Sequence, residues 1–303
     1  MRLAARRALS RMPPPAADHR DDPSHHAGLA ADLRLMSRRR LFGWFAKAAG
    51  AAAAGLLVLP VLEACTTEAS DAAGPDAAAG TDARTTAIDA TTGAGTCAEI
   101  PEETAGPYPA DGTNGVNALA RSGIERRDIT PSLAGTAVAA GVPLTITLTI
   151  LDVTTCTPLV GYAVYLWHCD RDGNYSMYSS AAKSETYLRG VQVTDANGQV
   201  TFTSIFPACY AGRWPHIHYE VYSSLAQATT GTDAVAVSQL ALPKAACDTV
   251  YGTTGYSQSV SNLGQITLAT DNVFSDGATL EIPTVTGSVA AGYVATLSPA
   301  ISA

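Results

Sequence analysis

Six histidines occur in the 303-residue chain, and outside the N-terminal stretch holding His19, His25 and His26 only His168, His216 and His218 remain. Two of these stand at i and i+2 in Trp214-Pro215-His216-Ile217-His218-Tyr219. Alternate side chains of an extended strand point to one face, so a strand here aims both imidazoles one way and turns Ile217 the other. Pro215 suits the first position of a strand, where no ladder donor is lost. Imidazole is the commonest protein ligand for metals, and two on one face make the smallest unit of a metal site. Taken alone, the pair fits two half-exposed strand residues equally well, and a metal site needs further donors. Glu220 would share the face of the pair as a rival oxygen ligand. His168 follows Trp167 just before a turn and reads as a structural or solvent-facing residue.

Two stretches supply further donors. One is Tyr210-Ala211-Gly212-Arg213-Trp214-Pro215-His216-Ile217-His218, and the other is Val164-Tyr165-Leu166-Trp167-His168-Cys169-Asp170-Arg171-Asp172-Gly173-Asn174-Tyr175. Together they resemble the intradiol ring-cleavage dioxygenases. In that family a Trp-containing strand and a G-x-Y turn carry a first tyrosine, and Y-x-G-R-x-x-H-I-H carries a second tyrosine and two histidines. Glu103-Thr104-Ala105-Gly106-Pro107-Tyr108 is similar to the family's T-x-G-P-[FY] segment. Leu188-Arg189-Gly190-Val191-Gln192-Val193-Thr194-Asp195 resembles the strand between the two tyrosines. The resemblance covers roughly residues 97 to 280.

The resemblance implies that Tyr175, Tyr210, His216 and His218 hold ferric iron, Fe(3+). Physical chemistry agrees with that donor set. A phenol with a pKa near ~10 is a poor ligand unless a strong Lewis acid removes its proton, and two phenolates offset the charge of a trivalent ion. The family chemistry opens a catechol-type ring between its two hydroxylated carbons with dioxygen, giving a muconate-type diacid. By the same resemblance Tyr210 is the ligand that leaves and accepts a substrate proton, and Tyr175 stays bound. Arg213 stabilises charge developing on the substrate, as a fixed guanidinium can. Gln239, in Ser238-Gln239-Leu240, resembles a supporting glutamine of the family, at a longer spacing from the histidines here. Tyr108 is read as lining the substrate mouth or packing, and Trp214 as pocket wall or core. Tyr165, Tyr178, Tyr219 and Tyr222 are read as packing residues. Two other classes stay open: a non-catalytic, transthyretin-like binding module, and a copper- or zinc-binding envelope protein using His216 and His218. Colour separates them, because tyrosinate on ferric iron absorbs visible light.

The elements that would position these residues are strands. Pro143-Leu144-Thr145-Ile146-Thr147-Leu148-Thr149-Ile150-Leu151 alternates apolar residues with threonine, the pattern of a half-buried strand. Further strands are expected over 161–167, 190–194, 199–206, 216–222 and 234–242. Asp195-Ala196-Asn197-Gly198 between two of them is a hairpin signal. No long helical pattern and no internal repeat appears. Short strands at this spacing predict an all-β fold, a β-sandwich with transthyretin- or immunoglobulin-like layers, over residues 97–303.

The first 96 residues read differently. Residues 1–35 are expected to be disordered or to precede the true start, Met36. Ser37-Arg38-Arg39-Arg40-Leu41-Phe42 and the apolar stretch Ala48 to Leu62 read as a twin-arginine signal peptide over 36–64. Leu62-Glu63-Ala64-Cys65 resembles a lipobox, with Cys65 lipidated and Glu63 an unusual residue in it. Residues 65–96, built mostly from Ala, Asp, Thr and Gly, are too poor in large apolar side chains to fold and read as a tether. The expected location is therefore the bacterial cell envelope, lipid-anchored. Beyond Cys65 stand 9 basic and 22 acidic residues, leaving −13, which argues against a nucleic-acid partner. The partners expected are a catechol-type molecule, dioxygen and the membrane, and a homodimer stays open. Five cysteines remain, so at least one is free or paired outside the domain; Cys156 with Cys169 is the first candidate bridge and Cys209 with Cys247 a weaker second.

Overall fold

The computed structural model describes residues 97–230 and 233–303, so the signal-peptide, lipobox and tether readings lie outside the described residues. The described chain is built mainly from strands: β1 Pro143–Thr149, β2 Leu151–Asp152, β3 Ala163–Trp167, β4 Arg189–Val193, β5 Gln199–Ile205, β6 His216–Tyr222, β7 Ala236–Ala241, β8 Thr284–Ser288, β9 Gly292–Leu297 and β10 Ala300–Ile301. Three short helices, α1 Leu225–Thr230, α2 Lys244–Tyr251 and α3 Ser257–Leu263, lie around β7 in the chain. None exceeds 8 residues, which is why no helical period stood out in the sequence. Among the described residues no helix is long and apolar enough to cross a membrane.

The strands form a four-stranded sheet ordered β5-β1-β9-β8, a second ordered β4-β3-β6-β7, and the small pair β10-β2. In β1 the alternation works as read: Leu144, Ile146 and Leu148 are buried, and the threonines between them are half-buried. Those three side chains, with Val200 and Phe202 from β5, meet Val164, Leu166, Ile217, Tyr219, Val221 and Leu240 from the second sheet in one hydrophobic cluster. Each such large side chain withdrawn from water contributes ~1.5–3 kcal/mol. The second sheet is buried on its other face too. There Ala163, Tyr165, Trp167 and Val191 pack with Leu119, Ile124, Tyr175 and Met177, residues of long loops rather than of a third sheet. Both faces of β3 and β6 are therefore dry, and polar side chains on the loop-covered face are buried with the apolar ones.

Two expectations are corrected. Asp195-Ala196-Asn197-Gly198 does form a turn: Asp195 Oδ1 accepts from Asn197 N at 2.8 Å and Gln199 N at 2.9 Å. Gly198 has φ 69°. Yet β4 pairs with β3 and β5 with β1, so the turn is a corner between sheets and not a hairpin. Local turn chemistry sets the bend, whereas the partner of each strand is set by which apolar face it buries. The disulfide joins Cys97 to Cys156, with Cα atoms 5.6 Å apart, while Cys169, Cys209 and Cys247 are buried free thiols. Cys156 precedes β3 and Cys169 follows it. A five-residue strand at ~3.3 Å per residue separates its ends by more than the ~7 Å a bridge can span. Strands β8, β9 and β10 were not anticipated. β9 pairs with β1 in parallel from far along the chain, a contact no local pattern announces.

Candidate metal centre

β6 runs over His216–Tyr222, and its alternation sends Ile217, Tyr219 and Val221 into the main core. His216 and His218 take the loop-covered face, 2% and 3% exposed. His218 has Trp167 of β3 as its register neighbour on one side and Gln239 of β7 on the other. The indole stacks on its ring at 4.9 Å with an interplanar angle of 3°. His216 Nδ1 donates to Trp214 O at 2.5 Å, since a carbonyl can only accept. That bond leaves a lone pair on Nε2 of the neutral ring.

Tyr175 arrives from the loop after β3. Asp170 Oδ1 accepts from Asp172 N at 2.9 Å and Asn174 N at 2.8 Å, closing a tight turn. Gly173 takes φ 88° in it, and a Cβ there would stand 3.3 Å from Tyr210 Cβ. Glycine is thus needed twice: for the left-handed backbone, and to let the two tyrosine-bearing loops touch. Tyr175 is buried, whereas Tyr210 is half-buried. Both Tyr175 Oη and Tyr210 Oη lie 3.3 Å from His216 Nε2, and His218 Nε2 lies 3.1 Å from it. The structure therefore brings the four residues singled out in the sequence together, three of their donor atoms lying within 3.3 Å of the fourth, His216 Nε2.

The electrostatics of the cluster favour neutral side chains. Burial pushes the Tyr175 phenol well up, and the neighbouring Tyr210 adds to it. Burial holds His216 well below the usual imidazole range, with the Arg213 charge next. His218 is lowered the same way, by burial and then by His216. Two neutral imidazoles and two phenols brought together, three of the four side chains buried, make a donor set that fits a strongly Lewis-acidic cation. Bound there, it would replace the lost hydration and draw off the phenolic protons. Among the described residues no group of three or more His, Cys, Asp or Glu side chains could hold a metal ion, so the phenols are indispensable to such a site.

Arg213 is 1% exposed. Its Nε donates to Asp271 Oδ2 at 3.0 Å and its Nη2 to Gln239 Oε1 at 2.8 Å. Gln239 in turn donates Nε2 to Thr104 O at 2.8 Å. The guanidinium is buried and held from one side by Asp271 and Gln239. Asp271 also accepts from the backbone of Trp214, Val273 and Phe274, and is fully buried. Trp214 packs in the main core cluster and donates Nε1 to Leu242 O at 2.9 Å, the core alternative of its two readings. Tyr108 lays its ring 4.8 Å from that of Tyr175. Glu220 accepts from Tyr222 Oη at 2.6 Å and lines a separate 550 Å³ cavity. His168 bonds Cys169 O and Ser204 Oγ, a structural role.

Two residues had no role assigned from the sequence. One is Asp271, for which no local signal exists. The other is Arg189, 0% exposed at the start of β4. Its guanidinium donates to Ser176 Oγ (3.0 Å), Ser176 O (3.0 Å), Tyr108 O (2.9 Å), Pro109 O (2.9 Å) and Tyr165 Oη (3.1 Å). It ties the segment carrying Tyr108 to the loop carrying Tyr175. Ala110, Met177 and Leu188, each next to one end of this network, hold φ of 52°, 72° and 56°. Such left-handed backbone in non-glycine residues costs roughly 1–2 kcal/mol apiece and persists only where its surroundings enforce it.

A family model described as Dioxygenase matches residues 123–230. A chlorocatechol 1,2-dioxygenase from Rhodococcus opacus is 40% identical over 57 residues, which is 19% of this chain and 22% of that relative, so the match spans about a fifth of its length. Among solved structures, an intradiol ring-cleavage dioxygenase from Tetranychus urticae superposes with a TM-score of 0.55 at 27% identity, covering 68% of this chain and 95% of that one. A second dioxygenase structure gives 0.54 at 26% identity, covering 68% and 94%.

Proposed function

We propose that the chain, similar to the intradiol ring-cleavage dioxygenases, is an oxidoreductase of that family and opens a catechol-type ring between its two hydroxylated carbons. Both atoms of dioxygen enter the product, a muconate-type diacid. Tyr175, Tyr210, His216 and His218 would hold ferric iron. When bound, the iron supplies the Lewis acidity that deprotonates phenols and the redox partnership that dioxygen chemistry needs. The observation that carries the reading is the gathering of the two phenol oxygens and the second imidazole within 3.3 Å of His216 Nε2.

The chain's own residues divide the work by burial. Tyr175 is 2% exposed with the Tyr108 ring packed 4.8 Å from its own, and it is the phenol that stays in place. Tyr210 is half-buried and is the phenol that swings aside and takes a proton from a substrate hydroxyl. Arg213, braced by Asp271 and Gln239, holds a fixed positive charge beside the cluster, where it needs no reorganisation as charge develops on the ring. Trp167 fixes the plane of His218. The β-sandwich reading of the fold rests on the one cluster that both four-stranded sheets share. The test is to load purified protein with iron, look for a visible absorption band, and follow oxygen uptake and product spectra across a panel of catechols. A protein that takes up iron without colour and leaves every catechol intact would overturn the reading. We also propose export by the twin-arginine route and anchoring at Cys65. Cys65→Ala should release the protein from the membrane fraction, and unchanged fractionation would refute the anchor.

A further inference from the structure

The 550 Å³ cavity is lined by chain neighbours of the gathered donors rather than by the donors themselves. Glu220, in its lining, follows His216 and His218 on the same face of β6. Thr104, also in the lining, is bonded through its carbonyl to Gln239, the register neighbour of His218. Pro107 and Pro109, both in the lining, flank Tyr108, whose ring packs on Tyr175. One stretch of chain, 104–109, therefore forms a wall of the cavity and packs Tyr108 against Tyr175, one of the four donors. Binding cavities of roughly 300–1,000 Å³ hold ligands well beyond a single ring.

The charge of this cavity is one-sided. Its lining holds Glu102, Asp111, Glu220 and Asp233, and no lysine, arginine or histidine. Behind the wall the buried Arg189 guanidinium bonds Pro109 O and offsets one of these charges. Asp111 and Glu220 are buried, and Glu102 and Asp233 are exposed at the rim. In a cleft with low-dielectric walls such a surplus focuses the field on whatever enters.

Resting on the activity proposed above, we propose that this cavity reads the ring substituent: it admits a chain ending in a protonated amine and rejects one ending in a carboxylate. The test compares two catechols with chains of matched length, one aminoethyl and one carboxyethyl, on the iron-loaded full-length protein. Anaerobic titration gives the ratio of their Kd values, and aerobic kinetics gives the ratio of their kcat/KM values. Both ratios cancel any loss of active protein between preparations. The amine should be favoured by about tenfold or more at low ionic strength. In Glu102→Gln with Asp233→Asn, two exposed positions, the preference should shrink towards parity, and added salt should act the same way. Equal treatment of the two catechols, a preference for the acid, or a preference untouched by the double variant would each overturn the proposal. Unsubstituted catechol keeps the two readings apart. If it is opened while the ratios are flat, only the cavity assignment fails. If it binds without being opened, the activity fails, and the Kd ratio still decides for or against the cavity.

Discussion

Removing the Arg189 side chain is the sharpest test of how the centre is held. Arg189→Ala deletes five donated hydrogen bonds at once. Pro109 O keeps a partner in Tyr165 Oη, 2.7 Å away. Tyr108 O and Ser176 O each lose the bond that Arg189 donates, and a buried carbonyl such as Ser176 O left without a donor costs ~1–3 kcal/mol. The vacated volume adds to this cost. Relaxation of the left-handed backbone at Ala110, Met177 and Leu188 subtracts from it, as does relief from burying a cation with no carboxylate bonded to it. The balance is a loss of about 3 kcal/mol, a sizeable part of the ~5–15 kcal/mol that holds a domain together. Equilibrium urea unfolding of the iron-free protein reads it, with Trp167 and Trp214, both buried, as fluorescent reporters. Arg189→Lys keeps the charge and at most three donors, so it should lose less. In Arg189→Ala the Tyr175 loop is no longer tied to Tyr108, so iron uptake and the visible band should fall as well. A loss below about 1 kcal/mol with an unchanged band would refute the assignment, because buried acceptors without donors cannot be that cheap.

Other outcomes follow from the same geometry. Tyr210→Phe that still holds iron should bind catechols and turn over ~10²–10⁴-fold more slowly in single-turnover kinetics. Arg213→Ala should keep colour and lose ~10²–10³-fold in rate, and a variant as fast as the parent would make Arg213 structural. Glu281 is fully buried with neither carboxyl oxygen hydrogen-bonded, and burial first, then Glu103, Asp276 and Asp271, pushes its pKa up to about 9. A raised carboxyl stays protonated in the fold while the unfolded chain ionises. Its contribution is therefore intact below its ordinary pKa of 4.5 and drains away as pH rises towards about 9. Glu281→Gln should accordingly flatten the pH dependence of unfolding between about pH 5 and 8 and raise stability at the upper end, and a parallel curve would refute this. The Cys97–Cys156 bridge closes a separation of 59 residues. Its removal in Cys97→Ser with Cys156→Ser should cost up to about 4 kcal/mol on denaturant unfolding, and no change would show that the bridge constrains nothing.

The face of each donor on its strand was written locally. A period of two places His216 and His218 together and Ile217 opposite, whatever surrounds β6, and the strand spans His216–Tyr222 as read. The alternation of β1 and the bend at Asp195–Gly198 are local in the same way, because they depend on side-chain direction and turn chemistry within a few residues. The tyrosines were reachable only through motif resemblance, since nothing in the spacing of Tyr175 and Tyr210 says that their loops meet at Gly173. What lay beyond the sequence was every choice of a distant partner. The corner was mistaken for a hairpin because a turn does not specify whose edge each strand will bond. Cys156 found Cys97 and not Cys169 because the intervening strand is rigid and extended. Arg213 was placed correctly in its turn, but its direction is set by Asp271, 58 residues on, and by Gln239 from a neighbouring strand. Arg189 and Glu281 look like ordinary surface charges in a list of residues. Only the closing of loops over the second sheet buries them, and burial is what turns a charge into a bracing point or a proton trap.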